Sequence, residues 1–199
     1  RDARAMDFIS TDPYHFIHCD GIRHRPHRRI LAECTRALVG ACLDRGATLY
    51  PQGFMPPGQS TPLGRQDGLL AGIVPYALGA DTVMPFTYEL MNIIPGYSEG
   101  FDDSRRLLSL LREHRPYSFA TLLCPQQSEL QGRPDEGWAA GPLRETAEAL
   151  RRTGLPWRWF WDERLTDAAS LLRGPLVLPE THCLTPQQTS ALRAVVQRG

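Results

Sequence analysis

The chain has 199 residues, 42% of them hydrophobic, and its 22 basic and 22 acidic residues give a formal net charge of zero. This composition excludes a disordered chain and indicates a globular protein of one large domain or two small ones. Every basic residue is an arginine, but the arginines are scattered and balanced by acids, which argues against a nucleic-acid partner. No run approaches the roughly 18 apolar residues of a membrane span, so no membrane partner is expected.

The sequence begins at Arg1 without a methionine, and its last helical segment ends at Gly199. We therefore expect an internal part of a longer polypeptide, in which any leader is out of view. The compartment stays open, with a cytoplasmic one favoured. The five cysteines form no CxxC pair, and Cys34 and Cys42 have apolar neighbours on a predicted helix. This pattern favours buried free thiols, and we expect no cofactor and no bound metal.

A short apolar run followed by polar and aromatic residues occurs three times in the first half of the chain. The runs cover residues 8–10, 47–50 and 82–84, and a predicted helix separates each from the next. Their spacing is that of β/α units, and such runs are typical of buried parallel strands. In these folds the residues just past a strand's carboxyl end form the ligand face. The pattern predicts an α/β fold containing part of a (β/α)8 TIM barrel.

Three helices are predicted in this half. The first is expected from Pro26 to Gly46, and the second covers about 67–78 with Pro75 inside it. The third is expected to begin at the cap Asp102, to end near residue 114 and to be buried through four leucines. These leucines are Leu107, Leu108, Leu110 and Leu111.

From residue 116 onward strands and helices alternate again. Strands are expected at 117–123, 157–161 and 175–178, and helices at 142–154, at 165–172 and after the N-cap Thr185. This order predicts a second parallel sheet, of flavodoxin-like type. The chain would then divide into domains of residues 1–115 and 116–199, the second of them truncated.

The run YALGADTV at residues 76–83 resembles the helix and eighth strand of the catalytic barrel of glycoside hydrolase family 42 β-galactosidases. More broadly, residues 47–89 resemble the end of that barrel, and residues 7–14 its sixth strand, which ends in an Asp and an aromatic residue. Residues 116–199 resemble the family's trimerisation domain, a relative of class I glutamine amidotransferases that lacks their activity. The resemblance implies a carbohydrate substrate and a homo-oligomer, with a trimer as one form.

One departure bears on the chemistry. The family's seventh strand ends in the glutamate nucleophile, but this chain has Leu49, Tyr50, Pro51 and Gln52 there. An amide is a weak nucleophile and cannot carry the charge that a glycosyl-enzyme ester requires. The resemblance also places the acid/base on the fourth strand, outside this chain.

Glu89 is the carboxylate nearest to the predicted barrel mouth, and we take it as the candidate catalytic residue. It would replace the missing nucleophile or bind a sugar hydroxyl, and the plain alternative is a solvated loop glutamate. Short polar groups and rings around it could bind and stack on a sugar, although the Asp-Pro pair at 12–13 also fits a simple turn. These candidate substrate-binding residues are Asp12, Tyr14, His15, Gln52, Phe86 and Tyr88.

The sequence contains two other groups of residues with possible chemistry, a histidine-rich segment and a cysteine beside a histidine. Four histidines and a cysteine lie between residues 15 and 27, but their spacing matches no zinc motif and the arginines among them would repel a cation, so a basic loop is favoured. They are His15, His18, Cys19, His24 and His27. Cys183 follows a predicted strand next to His182, but a nucleophile elbow needs a tight, glycine-flanked turn, which residues 184–186 do not offer.

Three functions follow from these residues. The first is a β-galactosidase-like glycoside hydrolase with a divergent seventh strand. The alternative is a carbohydrate-binding or assembly protein that kept the fold and lost the nucleophile. The third is an amidotransferase-like enzyme centred on Cys183, which the sequence supports least.

Overall fold

A computed structural model of the chain describes residues 8–11, 16–19, 23–26, 28–42, 46–49, 64–84, 96–111, 113–114, 116–126, 128, 141–172 and 174–198. The chain forms two compact units, residues 1–116 and 117–199, and each is treated by itself below. Within the described residues, no helix is both long and apolar enough to cross a membrane.

The first unit contains a parallel sheet with strands in the order β1-β4-β5. β1 (Phe8–Thr11) pairs along its whole length with β4 (Gly46–Leu49), and β4 pairs at its end with the short β5 (Thr82–Val83). The apolar, β-branched runs therefore formed strands as predicted. Gly46 was expected to end the preceding helix, but it is the first residue of β4.

A β-hairpin lies between β1 and the first helix, where a basic loop was predicted. β2 (Phe16–Cys19) pairs antiparallel with β3 (Arg23–Pro26), and Pro26 lies opposite Phe16 at the open end of the hairpin. Pro26 therefore does not begin a helix. It is the last residue of an edge strand, where proline is tolerated although it has no N–H group to donate to the strand ladder. α1 (Arg28–Cys42) begins two residues later.

Two further helices of this unit, α2 (Arg65–Ala77) and α3 (Tyr97–Leu111), pack closely against each other. Small residues lie at the crossing. A Cβ at Gly68 would overlap the carbonyl oxygen of Tyr97, and one at Gly100 would overlap that of Arg65. At Gly72 a Cβ would overlap the hydroxyl of Ser104. Because Gly68 and Gly100 carry no side chain, the two backbones come into direct contact at these two points, and Gly72 makes room for the Ser104 side chain.

This crossing corrects the predicted burial of α3. Its buried residues are Tyr97, Gly100, Phe101 and Ser104, whereas Leu107, Leu110 and Leu111 are exposed. The helix also begins at Tyr97 rather than at Asp102, which lies inside it and pairs with Arg105 one turn later. The buried ring of Tyr97 packs in one cluster with Ala71 and Phe101, and Val83 of β5 lies against that cluster.

The second unit contains another parallel sheet, with strands in the order β7-β6-β8. β6 (Ala120–Cys124) is central and fully buried, between β7 (Trp157–Trp161) and β8 (Leu176–Val177). β6 begins later than the predicted residue 117, because Tyr117 and Phe119 are exposed and the ladder starts where Ala120 meets Trp157. β7 has the predicted bounds.

Helices connect these strands. α4 (Gly141–Thr153) lies between β6 and β7 and ends at Gly154, whose positive φ accommodates the helix stop. A 3-10 turn (Asp162–Arg164), the short α5 (Leu165–Ala168) and another 3-10 turn (Ala169–Leu171) follow β7. The last helix, α6 (Pro186–Gln197), begins after the N-cap Thr185 as predicted, since the Thr185 hydroxyl accepts a hydrogen bond from the Gln188 N–H.

Candidate functional site

The carboxyl ends of β1, β4 and β5 lie at one edge of the first sheet, because the three strands are adjacent and parallel. In open sheets and barrels of this kind, the segments that leave this edge bind ligands. Asp12 directly follows β1 in the sequence, Gln52 comes soon after β4, and Glu89 follows β5 after a few residues.

The predicted site residues themselves lie outside the described parts of the chain. They are Asp12, Tyr14, His15, Gln52, Phe86, Tyr88 and Glu89. The strands that precede them are described, and the carboxyl ends of these strands share one edge of the sheet.

The first turns of α2 and α3 pack against each other, and each helix follows one of these segments in the sequence. The Asp67 carboxylate accepts a hydrogen bond from the Gly64 N–H (3.2 Å), which closes the first turn of α2. Asp67 is 5% exposed and Tyr97 is fully buried. Burial, and secondarily the Asp67 carboxylate, raise the pKa of Tyr97 above its usual value, so its phenol stays protonated further into the alkaline range.

Sequence reasoning missed this buried pair. Its signal was the spacing of Gly64 and Asp67, an N-cap followed three residues later by a short acid. The second signal is Gly96, directly before the aromatic Tyr97. A glycine readily adopts the positive φ that the chain has at this position, one residue before the helix begins. Asp67 and Tyr97 fix how the two helices begin, and thereby where the segments before them end.

A groove of about 660 Å³ runs beside β5 between α2 and α3, and we call it the α2–α3 groove. Asp81, just before β5, and Met84, just after it, both line the groove, so it follows the strand rather than opening at its carboxyl end. Its lining is mostly apolar, with the exposed Asp102–Arg105 ion pair on one side. The lining residues are Gly72, Tyr76, Asp81, Val83, Met84, Phe101, Asp102, Ser104, Arg105, Leu108 and Ser109.

Polar residues also gather at the carboxyl edge of the second sheet. The buried Ser128 hydroxyl accepts hydrogen bonds from the N–H groups of His182 (2.9 Å) and Cys183 (2.8 Å). The Gln188 side chain donates to the carbonyl oxygen of Asp162 (2.9 Å), just past β7. These bonds tie the segment before α6 to the ends of β6 and β7.

Cys183 is half-buried, and residues 178–185 separate β8 from α6. A nucleophile elbow joins a strand to a helix through a tight turn, so this longer connection does not have that geometry. The structure therefore agrees with the reading of Cys183 as an incidental thiol.

The histidine cluster of the first unit lies partly on the hairpin. His18 and His24 are Cα partners across β2 and β3, and Cys19 is opposite Arg23. His15 and His27 lie outside the described residues. In the part of the chain that the structure describes, no group of three or more His, Cys, Asp or Glu side chains could hold a metal ion.

Comparison with known proteins gives one likeness in fold. A β-galactosidase from the psychrophilic Marinomonas ef1 superposes with a TM-score of 0.58 at 15% identity, over 85% of this chain. The chain spans 30% of that protein's length. No family model matches the sequence, and no curated protein matches it. The likeness shows a mixed α/β fold of the kind found in that glycoside hydrolase.

Proposed function

We propose that this chain is part of a β-galactosidase-like glycoside hydrolase acting on carbohydrate. The single observation that carries the proposal is the fold likeness to a β-galactosidase over 85% of the chain. Identity of 15% is too low to carry over any residue's role, so the chemistry is argued from this chain alone.

The first unit would supply the last part of a (β/α)8 barrel. Its sheet order β1-β4-β5 follows chain order, and a singly wound barrel has the same property because each new strand is added on the same side.

The second sheet supports a different architecture: β7 and β8 flank the earlier strand β6, a reversal found in doubly wound, flavodoxin-like sheets. We propose that this second unit serves assembly of a homo-oligomer such as a trimer.

Within the barrel, Glu89 is the proposed catalytic carboxylate. Glu89 follows β5 in the sequence, and β5 shares its carboxyl edge with β1 and β4, so a sugar bound at that edge would meet segments from all three strands. A carboxylate can form a glycosyl ester or stabilise an oxocarbenium-like transition state. Residues after the same strands would bind the sugar, with acids and amides on its hydroxyls and rings on its apolar face. They are Asp12, Tyr14, His15, Gln52, Phe86 and Tyr88.

Gln52 favours a second candidate, a carbohydrate-binding or assembly protein without catalysis. A retaining glycosidase needs two carboxyl groups about 5 Å apart across the scissile bond. The segment after β4 begins with Tyr50, Pro51 and Gln52, none of which carries a carboxylate. If Glu89 does not take over this role, sugar binding would persist without turnover.

A chromogenic galactoside assay separates the two candidates. It should compare the polypeptide as its gene encodes it in full, the 199-residue chain, and the Glu89→Gln variant of each. We expect turnover by the full polypeptide, none by the 199-residue chain, and a fall of at least about 100-fold on Glu89→Gln, the lower range for removal of a catalytic carboxyl group. Glu113→Gln, at an exposed position of the first unit, is the matched control.

Full activity of the Glu89→Gln polypeptide would remove Glu89 from the catalytic machinery. Robust turnover by the 199-residue chain would show that both carboxyl groups lie within it. Saturable galactoside binding without turnover in every protein would favour the binding function.

A further inference from the structure

We propose that the hairpin of β2 and β3 binds a divalent transition-metal ion, of the chemical class of Zn²⁺, through His18 and His24. The two imidazoles would be its protein ligands, and water would complete its coordination. The inference goes beyond the proposed function and does not depend on it. It departs from the expectation, drawn from the sequence, that the histidine-rich segment is a basic loop without a metal.

The register of the hairpin is the first argument. β2 and β3 run antiparallel, and His18 is the direct Cα partner of His24. Directly opposed residues occupy the same face of an antiparallel pair, with Cβ atoms about 4.5–5.5 Å apart. Two imidazoles attached at such positions can bind one ion, since the metal–nitrogen bonds of zinc are about 2.0–2.1 Å long. The backbone therefore brings together two metal ligands that are separate in the sequence.

The alternation of residues along the strands is the second argument, because it divides the cluster between two faces. Successive residues of a strand lie on opposite faces. Cys19 and its partner Arg23 therefore lie on one face, together with Arg25. His18 and His24 lie on the other face. The argument that arginines would repel a cation treated all these residues as neighbours, and the register separates both strand arginines from the histidine pair.

The other described residues on the histidine face carry no charge. They are Phe16 and Pro26, which are partners at the open end of the hairpin. Arg28 and Arg29 belong to α1, outside the hairpin. Within the described residues of the two strands, the histidine face therefore offers two nitrogen ligands and no positive side chain to compete with an ion.

The marginal stability of such a hairpin is the third argument. β2 and β3 form a two-stranded sheet by themselves. A single two-stranded hairpin is at best marginally stable in water. β3 reads Arg-His-Arg-Pro, without the β-branched or aromatic residues that stabilise strands by packing. An ion that binds one residue of each strand would stabilise the paired form, because it binds that form and not the open one.

The ligands select the class of ion. Imidazole suits zinc, copper and nickel, whereas Mg²⁺ and Ca²⁺ take oxygen ligands. Zinc sites with a structural or catalytic role have three or four protein ligands. Two ligands agree with the finding that no group of three or more possible ligands occurs in the described part of the chain. The hairpin is therefore a site for an exchangeable ion with open coordination positions.

Hydrogen exchange on the unmodified polypeptide, as its gene encodes it in full, tests the site. The amides of residues 16–19 and 23–25 should be compared without metal, with Zn²⁺ and with Mg²⁺. At a free Zn²⁺ concentration about ten times the dissociation constant, we expect these amides to exchange about tenfold more slowly. EDTA should restore the original rates, and Mg²⁺ should not change them. An absence of slowing by Zn²⁺, or equal slowing by Mg²⁺, would overturn the proposal.

Substitutions then identify the ligands. The readout is the Zn²⁺ concentration that gives half of the slowing, so ions bound elsewhere on the polypeptide do not affect it. His18→Asn and His24→Asn should each raise this concentration at least about tenfold, since even the loss of an outer-shell partner weakens metal binding by about 10–100-fold. Cys19→Ser is the matched control, next to His18 but on the opposite face, and should leave the concentration unchanged. His114→Asn, at an exposed position outside the hairpin, should also have no effect.

The remaining outcomes also decide. If Cys19→Ser weakens Zn²⁺ binding as much as the histidine substitutions do, the thiolate holds the ion and the assignment from the register is wrong. If a histidine variant does not form the hairpin, its metal-free exchange rates show this, and the comparison of Zn²⁺ with Mg²⁺ on the unmodified polypeptide decides the proposal. Zinc-dependent slowing in a polypeptide that hydrolyses no galactoside would support this site and contradict the proposed function alone.

Discussion

Gly68 of α2 lies directly against Tyr97, the first residue of α3: a Cβ at position 68 would overlap the Tyr97 carbonyl oxygen. The contact is between two backbones, so neither side can give way by rotating a side chain. It lies where both helices begin, next to the segments that carry Gln52 and Glu89 in the sequence. The glycine thus sets the relative position of the two helix starts.

We predict that Gly68→Ala destabilises the first unit by about 1–3 kcal/mol, the usual cost of overpacking. Alanine in a helix interior is intrinsically better than glycine by roughly 1 kcal/mol, so without the contact the sign would be opposite. Urea unfolding measures the change. Gly64→Ala is the control, since no atom lies within 4 Å of a Cβ there, and it should cost less than about 1 kcal/mol. Equal losses would contradict the packing argument.

The sequence predicted the strands better than it predicted the packing between helices. Runs such as residues 82–84 and 157–161 carry apolar and β-branched or aromatic side chains, and these specify a strand locally. Burial was predicted correctly for β7 but not for β5, where Thr82 is exposed. The leucines of α3 gave the same kind of local signal, but the helix buries its Gly100 and Ser104 instead. Whether α3 packs on α2 through its glycine-containing face or through its leucine face depends on the surface of α2. The sequence pattern of α3 alone does not specify that surface.

Other differences have equally specific causes. The hairpin was missed because β3 reads Arg-His-Arg-Pro, with no apolar, β-branched or aromatic side chain that would indicate a strand locally. Asp102 was taken as a cap because acids favour that position, yet Gly96 and the buried Tyr97 start the helix earlier. The candidate site could be predicted only as a set of segments after strands, because long connections carry no periodicity that fixes a side chain's position.

Tyr97 predicts a pH dependence of stability. Its pKa is raised from the usual 10.0, mainly by burial. The folded state therefore holds the phenolic proton more tightly than the unfolded state does. This contribution is fully present below pH of about 10 and is lost as the pH rises toward the folded-state pKa. Tyr97→Phe should accordingly lose less stability than the wild type between pH of about 9 and about 11.

The measurement is chemical unfolding across that pH range. Tyr117→Phe is the matched control, because Tyr117 is 73% exposed and removing its hydroxyl should leave the pH profile unchanged. If the free energy of unfolding of Tyr97→Phe falls with pH in parallel with that of the wild type, the loss of stability at alkaline pH comes from other groups.

Gln188 links three parts of the second unit, and its loss should be costly. Its N–H donates to the Thr185 hydroxyl, its side-chain oxygen accepts from the Thr185 N–H, and its amide donates to Asp162. We expect Gln188→Ala to destabilise the unit by about 2 kcal/mol, from a lost capping interaction and a lost buried hydrogen bond. Gln187→Ala, at the exposed neighbouring position, should stay within about 0.5 kcal/mol. Similar losses in thermal unfolding would contradict a special role for Gln188.

Ser128 makes a corresponding link between the residues after β6 and the segment before α6. Its buried hydroxyl accepts from two consecutive N–H groups, those of His182 and Cys183, and so holds the segment before α6 against the end of β6. Ser128→Ala removes that acceptor, and we expect a loss of about 1–3 kcal/mol together with faster hydrogen exchange at the two amides. Ser190→Ala, an exposed serine on α6, is the control and should change neither quantity. If the amides of His182 and Cys183 exchange at wild-type rates in Ser128→Ala, the segment is held by other contacts, and the hydroxyl is not what positions Cys183.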